Sequence, residues 1–156
     1  MSDEHGNNSP VVPPAMPAPL RLVTIARLAD ILGELVRASP GVVSATLASV
    51  DGFTVASTLS NSQEADKLSA MSGSLSALAG ALTREAGHVR PERLILESDS
   101  GQIVSMNVPM PAGDLVLTVV TTPSSVLGKL LWSCRNTADL IAAACALQAT
   151  GATSFP

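Results

Sequence analysis

Residues 68–83 read LSAMSGSLSALAGALT, sixteen positions without a charge, framed by Lys67 on one side and Arg84-Glu85 on the other. Leu68, Met71, Leu75, Leu78 and Leu82 recur at spacings of 3, 4, 3 and 4, which is the period of one helical face. A surface helix normally carries charge opposite such a stripe. Here the other side carries Ala70, Gly73, Ser74, Ala77 and Ala81. Gly73 and Gly80 each lower helix propensity by about 1 kcal/mol relative to Ala, and close approach of another backbone is a reason to tolerate them. Two arrangements are open. Either the helix is central to one large core, or it packs one face on its own sheet and the other on a second copy of itself. A two-layer domain leaves one side of a helix wet, which favours the second.

Outward from this stretch the chain divides into short, legible segments. Asn61 or Ser62 is a candidate N-cap, with Glu64 and Asp66 placed well in the first turn. Gly87 reads as the C-terminal stop. Upstream, 42–50 is a strand rich in β-branched residues, Asp51-Gly52 a tight hairpin turn, and 53–58 the returning strand. Before it, 20–38 is a helix with Ile25, Leu28, Leu32 and Leu35 as its apolar stripe, stopped by Ser39-Pro40-Gly41. Downstream, 92–98 is a third strand, Asp99-Ser100-Gly101 a turn, and 102–108 the strand after it. Val104, Met106 and Val108 alternate there with Ser105 and Asn107, so one face is drier than the other. A loop at 109–114 leads to the almost wholly apolar 115–121, expected at the centre of the sheet. Pro123 with Ser124 or Ser125 opens a last helix reaching about Leu147, with Leu127, Leu130, Leu131, Cys134, Ala138, Ile141 and Cys145 as its core side and Trp132 packed on the helix face. Residues 1–19 hold five of the eleven prolines and read as a disordered tail, and 148–156 as a loose end. The folded domain is thus expected over 20–147: helix, two strands, helix, three strands, helix. Hairpins joining the strands predict an α/β domain with a five-stranded, largely antiparallel sheet flanked by helices.

Composition excludes several function classes. The 156 residues are 46% hydrophobic but 2% aromatic, with a net charge of −4 and nine scattered basic residues. There is no basic stripe, so nucleic acid is a poor partner. The longest apolar run, 140–147, is eight residues, too short for membrane insertion. The acidic start, Asp3-Glu4, does not resemble a secretory signal. Cys134 and Cys145, about 16 Å apart if both lie on one helix, are beyond disulfide reach and fit a reducing, cytoplasmic setting. His5 and His88 have no partner at metal spacing, no carboxylate pair stands out as acid and base, and neither a G-x-S-x-G elbow nor a phosphate loop occurs. No catalytic residue, cofactor or metal ligand is nominated, and the chain reads as a non-enzyme.

The hairpin ASVDGFTVAS at 48–57, the KLSAMS stretch at 67–72 and the ESDSGQIV stretch at 97–104, in this order of elements, resemble the Roadblock/dynein light chain family. The likeness is to its bacterial branch, the MglB-type regulators of Ras-like GTPases. That resemblance implies a sheet with helices on both sides, related to the profilin and longin folds. It implies a homodimer formed by the second helix and third strand. Ala70, Gly73, Ser74, Ala77 and Ala81 would then lie at the subunit boundary with Arg93, Leu94, Ile95, Leu96 and Glu97, so that Gly73→Glu or Ala77→Arg is expected to break the pair. It implies a Ras-like small GTPase as partner, whose nucleotide cycle the dimer modulates without owning an active site. Arg84, Arg90 and Arg93 are exposed candidates for an arginine contribution, with plain surface charge as the simpler reading. The alternative to a GTPase regulator is a small-molecule-sensing or general protein-interaction domain in bacterial signalling, although one Trp, two Phe and no Tyr offer little to line a ligand pocket.

Overall fold

The computed structural model describes residues 18–151, in the order α1 (Ala18–Ala38), β1 (Val42–Ser49), β2 (Thr54–Ser57), α2 (Ser62–Glu85), β3 (Arg93–Ser98), β4 (Gly101–Val108), β5 (Leu115–Thr121) and α3 (Leu127–Gly151). The order matches the expectation, and the elements end within a few residues of the expected positions. The expected N-terminal tail lies outside the described residues up to position 17, as does 152–156 of the C-terminal end. Ala18 and Pro19 instead open α1, and α3 continues four residues past Leu147 to Gly151.

The five strands form one sheet in the order β2-β1-β5-β4-β3, every pairing antiparallel. β5 sits in the middle, as its largely apolar composition predicted. The register aligns rows across the sheet. Ala45, Val119, Val104 and Ile95 form one row, and Thr46, Thr118, Ser105 and Leu94 the neighbouring row on the opposite face. Strand alternation therefore separates an aliphatic face from a hydroxyl-bearing one.

The aliphatic face holds the main core. α1 and α3 lie on it, with Leu28, Leu32 and Leu35 from α1 and Leu130, Cys134, Ala138, Ile141 and Ala144 from α3 packed on Ala45, Leu47, Val104, Met106, Val108, Leu117 and Val119. Each fully buried leucine contributes about 1.5–3 kcal/mol of transfer free energy. Three sequence expectations need correction here. Ile25 is 41% exposed and Thr24 takes its place on the inner side of α1, while Leu127, Leu131 and Cys145 only edge the core of α3. Trp132 does not pack inward at all, being 69% exposed on the outer side of α3. Large apolar residues do not identify a core face when the helix has apolar residues on more than one side.

The hydroxyl-bearing face is covered by α2, which packs on β1, β2 and β5. β2, only four residues long, ends the sheet on one side and is flanked by both α1 and α2. β3 ends it on the other and pairs only with β4 among the described residues.

Candidate interaction surface

α2 is closed at both ends by its own sequence. Asn61 Oδ1 accepts from the backbone N–H groups of Gln63 and Glu64 at 3.0 and 3.4 Å, so it is the N-cap, with Glu64 in the first turn. At the other end Gly87 adopts φ +74°, its N–H donates to the Arg84 carbonyl and the His88 N–H to that of Thr83. This is a Schellman stop, and it assigns Gly87 the role its position predicted.

Between these caps the inner face of α2 consists of Ala65, Ser69, Ser72, Gly73, Ser76, Ala79 and Gly80. A Cβ on Gly73 would lie 2.9 Å from the Gly52 backbone and 3.0 Å from the Val50 carbonyl oxygen. Helix and β1–β2 hairpin therefore meet backbone to backbone, with Gly52 in the turn at φ +87°. Hydroxyls stitch the seam. Thr118 Oγ1 donates to Ser72 Oγ at 2.9 Å, and Ser72 Oγ donates to the Leu68 carbonyl at 2.7 Å. Thr54 Oγ1 donates to Asp66 Oδ1 at 2.7 Å and lies 2.8 Å from Ser69 Oγ. Ser76 Oγ donates to Asn107 Oδ1 at 3.3 Å, and Asn107 Nδ2 to the Pro91 carbonyl at 3.1 Å. The buried serines find partners on the polar face of the sheet, which removes the cost of burying them.

Because small residues face inward, the long side chains face outward. Met71, Leu78 and Leu82 are 69%, 67% and 68% exposed, with Leu75 half-buried beside them. This reverses the nominated orientation in part. Gly73 is buried inside its own chain, while Ala70, Ser74, Ala77 and Ala81 are exposed and flank the leucine stripe. β3 continues the surface. Register places Leu94 and Leu96 on the α2 side of the sheet, in rows with Ser105 and Ile103; Leu96 is 48% exposed. Ile95 lies half-buried on the aliphatic side opposite Val104, and Arg93 and Glu97 are exposed on the strand. Of the nominated residues, Ala70, Ser74, Ala77, Ala81, Leu94 and Leu96 thus share one region, the outer side of α2 and the α2 side of the edge strand, whereas Gly73 is buried and Arg93, Ile95 and Glu97 lie on the other side of the sheet. The leucine stripe itself was missed as part of the surface. The signal for it lay in the Ser44-Thr46 and Ser105-Asn107 alternation, which marks a sheet face suited to serines.

The surface is framed by ordinary ion pairs. Arg90 pairs with Asp114 at 3.3 Å, Arg135 with Glu92 at 3.0 Å, and Arg93 lies 3.8 Å from Glu92. Arg84 is exposed in the last turn of α2. On the far side of the molecule an open groove of about 510 Å³ runs between α1 and α3, lined by Arg27, Glu34, Arg37, Trp132, Asn136 and Leu140 among others. Burial pushes the Cys134 thiol up to about 11 and raises Cys145 too. Both stay protonated at neutral pH, the opposite of a reactive thiol. Among the described residues no group of three or more His, Cys, Asp or Glu is placed to hold a metal ion. No described helix is long and apolar enough to cross a membrane.

Solved structures share this arrangement. MglB from Myxococcus xanthus superposes with a TM-score of 0.70 at 13% identity, over 80% of this chain and 91% of that one. An MglB described as having a tetrameric arrangement gives 0.71 at 19% identity, over 88% and 99%. A Roadblock/LC7 domain from Streptomyces avermitilis gives 0.63 at 21% identity, over 72% and 92%. No curated protein matches by sequence. At such identities the likeness is one of fold, but residues 28–121, from the middle of α1 to the end of β5, match the family model itself, and the chain belongs to the Roadblock/LC7 domain family.

Proposed function

We propose that this protein is a non-enzymatic homodimeric regulator that binds a Ras-like small GTPase and modulates its nucleotide cycle. The observation that carries the reading is the uncharged outer face of α2, with Met71, Leu78 and Leu82 about two-thirds exposed beside the open edge of β3. A contiguous apolar surface of this kind marks an interaction site. A two-fold axis beside β3 would set α2 against α2 and strand edge against strand edge, a self-complementary contact. It would also cover a strand edge that is otherwise an aggregation hazard. The relative with a tetrameric arrangement supports self-association in this fold.

Regulation on this reading is a matter of differential binding. A dimer that holds one conformation of a GTPase's switch loops more tightly than the other shifts the population between them. Hydrolysis then stays with the GTPase's own residues. Arg90 and Arg93 are engaged with carboxylates of their own chain, which fits a structural role for both.

Two measurements test the proposal. Light scattering at micromolar concentration is expected to give twice the chain mass, and Leu78→Glu to halve it. Calorimetric titration with a Ras-like GTPase from the same genome, loaded with GDP or a GTP analogue, is expected to show at least ten-fold preference for one state. Equal affinity for both, or none for either, overturns the regulatory half.

A further inference from the structure

α1 and α3 insert Leu28, Leu32, Leu130 and Ile141 into their side of the sheet. α2 inserts nothing comparable: its seat is three serines, two alanines and two glycines. Helix propensity along α2 is mixed, because its Ala, Leu and Met residues are strong helix formers. Gly and Ser are weak helix formers, and Ser72, Ser74 and Thr83 each turn their hydroxyl back onto the carbonyl four residues earlier, a bond that weakens helices. Most helices owe their stability to packing of an amphipathic face. In α2 the face with large side chains is the one this chain leaves bare.

We propose that α2 is conditionally ordered: its seat on its own sheet holds it marginally, and cover of the Met71–Leu78–Leu82 face completes its stability. Self-association and ordering of α2 are then one coupled equilibrium. The inference rests on the pairing surface proposed above. It adds that part of the association energy is spent on ordering the helix, as in coupled folding and binding. Elements with few buried apolar contacts populate the low end of local stability, so α2 is where the molecule opens first. A residue that pre-orders α2 therefore tightens self-association without touching the partner.

Hydrogen exchange on the full chain tests this. In Leu78→Glu at a concentration where its mass is that of one chain, amides across 68–84 are expected to exchange at least ten-fold faster than in the associated wild type. Those of β1 and β5 should keep their protection. Unchanged protection of α2 in the dissociated variant overturns the proposal. Gly80→Ala supplies the second arm. A Cβ there meets only Arg84 Nη1, at 3.6 Å, and Gly80 faces the chain's own sheet. Its gain in helix propensity is expected to tighten self-association by about five-fold per helix, up to about thirty-fold for a pair. An unchanged dissociation constant overturns the coupling. Should the wild type measure as a single chain at every concentration, the pairing surface fails on its own. Exchange in that single chain then still decides: fast α2 amides beside slow sheet amides sustain marginal order, and equal protection refutes it.

Discussion

Single residues in this protein are constrained by distance more than by chemistry. Gly73 is the sharpest case. Any side chain there must displace the Gly52 backbone, 2.9 Å from the added Cβ. Overpacking of this kind costs about 1–3 kcal/mol, against a propensity gain of about 1 kcal/mol for alanine. Gly73→Ala is therefore expected to lower the melting temperature although alanine favours helices, and Gly73→Glu to unseat α2 rather than merely split a dimer. Calorimetry on both variants checks this. Gly73 and Gly80 look alike in sequence, seven residues apart on the same side of one helix; only the hairpin backbone over Gly73 separates them, and its Gly52 lies twenty-one residues away in the chain. Cys134 is constrained by burial. Its thiol, ordinarily near 9.0, is held at about 11, so the folded state binds the proton more tightly than the unfolded one. That contribution is complete below pH 9 and is lost as pH rises toward 11, by up to about 2–3 kcal/mol. Urea midpoints measured from pH 8 to 11 should fall across this window in wild type and less steeply in Cys134→Ala.

At the scale of elements, α2 differs from the other two helices in which side it presents. Leu32 of α1 is fully buried, so Leu32→Ala should cost about 2–5 kcal/mol. Leu78→Glu on α2 should leave far-ultraviolet dichroism of the sheet and melting of the main core in place while the mass halves. The contrast is read by running both variants through the same denaturation and light-scattering experiments. Element order, the caps at Asn61 and Gly87, the turns and the drier face of β4 were all legible, because each depends on residues close in the chain. The family was legible for the same reason, through the hairpin and the two flanking stretches. The orientation of α2 was not. Periodicity shows that a helix has distinct faces, but when both are dry, the choice falls to the sheet beneath. That sheet presents Thr54, Thr118 and Asn107, and Ser69, Ser72 and Ser76 bond them where leucines would strand them. Trp132 escaped for a related reason: a lone aromatic on an aliphatic helix reads as packed on the helix face, yet it is 69% exposed.

For the molecule as a whole, the two faces of the sheet divide the labour. α1 and α3 bury the aliphatic side and supply cohesion. The α2 side, with β3, supplies the surface left for company. The two ends of the sheet are unequal as well. β3 is a six-residue strand with an open flank, whereas β2 has four residues and a helix on either side. Growth by strand addition is therefore easier from the β3 rim. With that flank taken by a twin, the opposite rim offers a third chain only the four residues of β2, which biases the assembly to terminate instead of propagating into fibrils, even where the protein is crowded.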